Sequence, residues 1–119
     1  IDALQALGNS YRLSLVIDIW APKHLWVSYF HELNIFNWFE ESSFSSDYGC
    51  VKPSPNGFLQ VLRKMDLRPH EAIVIGDSVR RDLGGALEAG MDCALVGGAQ
   101  SKEAIAVYPD LLTLSEEWR

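Results

Sequence analysis

Three short runs, LSLVI at 13–17, AIVI at 72–75 and CALV at 93–96, are apolar with no polar alternation. A strand with one wet face alternates with a period of two, so an unbroken apolar run marks a strand covered on both faces. Helical patterns separate these runs. Leu25, Trp26, Tyr29, Phe30 and Leu33 recur at helical spacing after Pro22, and Phe58, Leu59, Leu62 and Met65 do so over 55–65. A further helix is expected over 81–89, stopped by Gly90 as its C-terminal cap. Residues 42–46 are a weaker strand candidate, 102–107 a short helix and 111–114 a short edge strand. Strands alternating with helices imply βαβ units joined by right-handed crossovers. The expected fold is α/β, a doubly wound parallel sheet forming a single domain over 1–119.

Composition narrows the partners. A hydrophobic fraction of 48% with 22% charged residues is that of a folded chain rather than a disordered one. The net charge of −6 disfavours bulk attraction to nucleic acid or to an anionic membrane. No apolar run approaches the ~20 residues of a membrane-spanning helix, and the first residues lack the pattern of a signal peptide. Cys50 and Cys93, far apart and in no metal-like spacing, read as incidental thiols of a reduced, cytoplasmic protein.

In doubly wound sheets ligands bind outside the carboxyl ends of the strands. Three stretches fall there: 18–21, the loop holding Lys52, and 76–82. Asp77 ends an apolar strand after Gly76, and Asp82 lies about one helical turn further on. Two converging carboxylates suit a hard divalent cation such as Mg²⁺, which takes oxygen ligands and few protein groups. The competing reading is that Asp77 or Ser78 caps the following helix. Lys52 in VKPSP can hold a carboxylate and a phosphoryl oxygen as a compact charge, or it can be a solvated surface lysine. Trp20 could line a pocket beside Asp18. Arg80 and Arg81 could attract phosphate or open a solvated helix. His24, His31 and His70 have no partner spacing and read as surface or helix-end residues.

The run VKPSPNGFLQVLRKMDLRPHEAIVIGDSVRRDLGGALEAGM resembles the third and fourth motifs of the haloacid dehalogenase (HAD) superfamily of phosphohydrolases. YRLSLVIDIWAP resembles the segment that carries the second motif. The resemblance implies Mg²⁺-dependent phosphoryl transfer to water through an aspartyl-phosphate, on a small phosphorylated metabolite. It assigns Lys52 to the nucleophile and the phosphoryl charge, Asp77 to the metal, Asp82 to the second acid of the metal site, and Ser78 with Lys52 to the phosphate. Two departures stand out. The DxDxT-like first motif, with the nucleophile, is not found in these residues. At the second motif Ile17 stands where a hydroxyl is usual and Asp18 where Asn is usual, which leaves Asp18 a catalytic candidate of undefined role. The resemblance further implies a HAD-like core without its first central strand or its cap. That strand belongs between 13–17 and 72–75, so those two must pair directly or be completed by a second copy or an N-terminal fragment. The expectation is a hydrolase-lineage chain inactive alone, with a non-catalytic, self-associating binding module as the alternative.

Overall fold

The computed structural model describes residues 2–17, 39–44 and 54–118. The helix expected over 22–33, together with Asp18, Trp20, Trp26, Trp38, His24, His31, Cys50 and Lys52, lies outside them. The apolar runs form strands β1 (Ser14–Ile17), β3 (Ile73–Gly76) and β4 (Asp92–Leu95), and the weaker candidate forms β2 (Glu41–Phe44). A fifth strand, β5, spans Ala106–Val107. Every pairing is parallel: β1 with β2 from Ser14 opposite Glu41, β3 with β4 from Ile73 opposite Asp92, and β4 with β5.

The helices α1 (Asp2–Gly8), α2 (Asn56–Met65), α3 (Gly84–Glu88) and α4 (Leu111–Trp118) cover both faces of the strands. Alternate strand residues divide between two cores. Val74, Cys93 and Leu95 pack with Phe58 and Leu62 of α2 and with Leu83 and Ala86, and Val16 of β1 joins them. Ala94 and Ile75 turn the other way, onto Leu7 of α1 and Leu114 of α4, with Leu13 alongside. This period-two division explains why the runs carry no polar alternation. The α/β, doubly wound parallel architecture is therefore present, and the stretches on either side of the gap share both helical layers.

The strands nevertheless form a two-stranded sheet, β1-β2, and a three-stranded one, β3-β4-β5. Direct pairing of β1 with β3, one of the two expected outcomes, does not occur among the described residues. Each keeps one edge to which no described strand is hydrogen-bonded.

Two C-terminal expectations are corrected. Residues 102–107 do not form a helix: Ser101 caps Glu103 (N to Oγ 3.2 Å), but the chain turns and Ile105 N donates to Cys93 O at 2.9 Å, entering β5. So short a segment repays the cost of helix nucleation poorly, whereas the edge of β4 offers ladder partners. Residues 111–114 are not a strand but the start of α4. Asp110 Oδ1 accepts the Thr113 N–H at 2.7 Å, an N-cap, and Leu111, Leu114 and Trp118 then share the face packed towards Leu7. The expected helix over 81–89 divides into a π-helical turn, Val79–Leu83, and α3. Its C-terminal end is as expected. Gly90 has φ +78°, Gly90 N donates to Leu87 O at 3.0 Å, and Met91 N donates to Ala86 O at 2.8 Å, a Schellman closure.

Candidate active site

The carboxyl end of β3 is where the sequence places its sharpest motif. Val74 is buried, Ile75 and Gly76 are half-buried, and the chain surfaces at Asp77, whose side chain is exposed. Gly76 O accepts the Val96 N–H at 2.9 Å, so the β3-β4 ladder reaches the last residue before the turn. Beyond it the backbone is held by three local devices. Asp82 Oδ2 accepts the N–H of Asp77 at 3.1 Å and that of Ser78 at 3.2 Å. Ser78 Oγ accepts the Arg81 N–H at 3.0 Å, capping the π-helical turn. Ser78 O accepts the N–H of both Asp82 (3.0 Å) and Leu83 (3.1 Å), which fixes the wide first turn.

These contacts separate the two acids. Asp77 is exposed, whereas Asp82 is 6% exposed with its Oδ2 engaged by backbone donors. The buried carboxylate has charge-assisted partners, as such a group must. The capping reading holds at Ser78, whose side chain caps the turn while its amide shares the Asp82 oxygen. Arg80 and Arg81 are exposed at the start of the same turn. Asp77 and Asp82 are thus brought to one strand end, whereas Lys52 and Asp18 lie outside the described residues.

The donor chemistry of this end suits a hard cation. It offers carboxylate oxygen from Asp77, and among the described residues no group of three or more His, Cys, Asp or Glu side chains is placed to hold a metal. One or two protein carboxylates with waters completing the shell is the habit of Mg²⁺.

The Gly97-Gly98 pair after β4 lies beside this strand end. Both residues have positive φ, and a Cβ on Gly97 would sit 3.4 Å from that of Asp77, so this loop passes close to the site.

Comparison with known proteins agrees with this arrangement. The sequence model of the HAD-hydrolase-like family matches residues 49–113. A phospholysine phosphohistidine inorganic pyrophosphate phosphatase of Xenopus laevis is 38% identical over 60 residues, 50% of this chain and 22% of that protein. A glyceraldehyde 3-phosphate phosphatase of Methanopyrus kandleri is 37% identical over 59 residues, 50% of this chain and 25% of that protein. Among solved structures, a HAD phosphatase of Thermococcus onnurineus superposes with TM-score 0.82 at 25% identity, over 98% of this chain and 55% of its own. A magnesium-bound HAD-hydrolase of Bacillus subtilis superposes with TM-score 0.83 at 21% identity, over 98% of this chain and 53% of its own, a likeness of fold. The matches thus span about a quarter of the curated relatives and about half of the solved chains. The match over more than half of the sequence, with the strand-turn motif at its centre, places this chain in the HAD-hydrolase-like family.

Proposed function

We propose that this chain carries the lysine-and-metal half of a phosphomonoester hydrolase site. The observation that supports this most is the turn at 76–82, which presents an exposed Asp77 carboxylate at the carboxyl end of β3 and backs it with buried Asp82. In this reading a small phosphorylated metabolite binds with its phosphoryl group over that strand end. Bound Mg²⁺ would neutralise charge on the phosphoryl oxygens, with Asp77 as its ligand and Asp82 as the second acid of its site. Lys52 steadies the nucleophile and the transferred group as a fixed positive charge. Ser78 contributes to the phosphate pocket, and Asp18, following β1, is the second catalytic candidate. The nucleophilic aspartate, which forms the aspartyl-phosphate that water then hydrolyses, comes from a DxDxT-like strand outside these 119 residues. That strand would belong to a longer protein, an N-terminal fragment or a partner chain, in the cytoplasm.

A second reading has its own observation. The edges of β1 and β3 that no described strand pairs, with Ile17 where a hydroxyl is usual, support a non-catalytic module that completes its sheet with a second copy.

Hydrolysis of p-nitrophenyl phosphate with Mg²⁺, by the chain and by Asp77→Ala prepared identically, tests the first reading together with an NMR titration. The chain alone is expected to give the same background as Asp77→Ala, while Mg²⁺ with inorganic phosphate shifts the Asp77 and Lys52 resonances. Turnover that disappears in Asp77→Ala would refute inactivity of the isolated chain. Silence of both resonances would refute the site.

A further inference from the structure

One carboxylate oxygen holds both backbone amides that flank the Asp77 Cα. We propose that Gly76 and Asp82 form a steric and hydrogen-bonded interlock that aims Asp77, so that Asp82 serves as a positioning residue acting through the backbone. The metal part of this statement rests on the phosphomonoesterase reading; the interlock itself does not.

Three observations carry it. Asp82 Oδ2 accepts from two consecutive amides, Asp77 N at 3.1 Å and Ser78 N at 3.2 Å, and those amides flank the Asp77 Cα. Fixing both peptide planes fixes the direction in which the Asp77 side chain leaves the backbone. Next, a Cβ on Gly76 would overlap the Cβ, Cγ and Oδ2 of Asp82. Gly76 is not among the described glycines with positive φ, which are Gly90, Gly97 and Gly98, so conformation does not demand glycine there. It is required because the Asp82 carboxylate occupies the space a side chain would take. Finally, the π-helical turn sets the register. Ser78 O takes the N–H of both Asp82 and Leu83, and the widened turn lays the buried Asp82 side chain back across the end of β3. A π turn at this position is a costly local geometry that this contact makes use of.

A single oxygen accepts from both amides, so an amide oxygen at the same place can accept from the same two N–H groups.

The test uses ¹⁵N-labelled chain and five variants, Asp82→Asn, Asp82→Ala, Gly76→Ala, the double change Gly76→Ala with Asp82→Ala, and Asp77→Asn. Amide hydrogen exchange at Asp77 and Ser78 is read against the β4 amides as an internal control for global stability. Asp82→Asn is expected to keep both amides protected. Asp82→Ala and Gly76→Ala should each speed exchange at both amides by about tenfold, the size of one net hydrogen bond. The double variant should add little to either single change, as for residues sharing one interaction. Mn²⁺ broadening, centred on Asp77, should vanish in Asp77→Asn. Three results overturn the proposal: unchanged amides in Asp82→Ala, Asp82→Asn behaving as Asp82→Ala at both amides, or additive effects in the double variant. Should Mn²⁺ bind no form of the chain, the metal part of the functional reading fails, and the amide data alone decide the interlock.

Discussion

Leu83 closes the π-helical turn that carries Asp82, and Leu83→Ala separates the packing of that turn from its chemistry. Leu83 is 2% exposed and packs among Val74, Ala86, Cys93 and Leu95. Removing three buried carbons at ~0.8 kcal/mol each gives about 2.4 kcal/mol of lost transfer energy. A partly collapsed cavity raises this to about 3–4 kcal/mol, within the range measured for buried leucines. A chain of 119 residues has a stability on the order of 5–15 kcal/mol, so the variant should still fold. An unfolding entropy near 2.1 cal/mol/K per residue turns 3 kcal/mol into a fall in melting temperature of about 12 °C. Urea unfolding followed by circular dichroism measures it, with Leu87→Ala as the contrast. Leu87 lies on the same helical segment but is 43% exposed, so its loss should cost no more than about 1 kcal/mol. The Asp77 and Ser78 amides should stay protected in folded Leu83→Ala, because neither bond to Asp82 involves Leu83. A loss below about 1 kcal/mol at Leu83, or one equal to that at Leu87, would refute the enclosed core assigned to this turn.

Two further outcomes follow from the C-terminal helix and the strand edges. The Thr113 backbone N–H, with its side chain second, holds the Asp110 carboxyl below the usual carboxylate range. Its stabilisation is therefore present above the unfolded-state value and is lost as pH falls through the lower folded one. Asp110→Ala should lower the thermal midpoint at neutral pH, whereas Asp110→Asn keeps the cap, hardly moves that midpoint and flattens the acid-side decline. Glu40, lowered by its bond to Arg12, titrates in the same direction, so the decline should persist in part. A midpoint at neutral pH unchanged in Asp110→Ala would count against the cap. If β1 and β3 are completed by a second copy, analytical ultracentrifugation should show a dimer growing with concentration, and Ile73→Lys, at an exposed residue of β3, should weaken it; a strict monomer across a wide range of concentration would remove the second functional reading.

How much of this was legible in the sequence depended on whether a residue's fate was set locally. LSLVI, AIVI and CALV carry their burial in their own composition, and the strands they form differ from the expected bounds by a residue. The end at Gly90 was equally readable, because a left-handed residue after a helix favours glycine for reasons internal to the chain. The two failures were contests between local and tertiary terms. At 102–107 the Ser101 cap formed as a local device, yet the edge of β4 captured the segment. At 111–114 the short run LLTL was ambiguous between strand and helix, and the deciding signals were Asp110 before it and Trp118 a turn beyond it.

The motif at 76–82 shows the same division within the candidate site. Strand, glycine and two acids were visible as a pattern, and the position of Asp77 at a strand end followed from it. The π turn was not visible, because no residue type specifies it; it follows from where Asp82 finds donors. Burying a carboxylate requires partners for its oxygens, and the amides of Asp77 and Ser78 at the end of β3 serve Oδ2. Satisfying Asp82 there requires an extra residue in the turn and no side chain at position 76. In three dimensions the two acids of that pattern are one exposed and one buried, the buried one accepting from the amides on either side of the exposed residue's Cα.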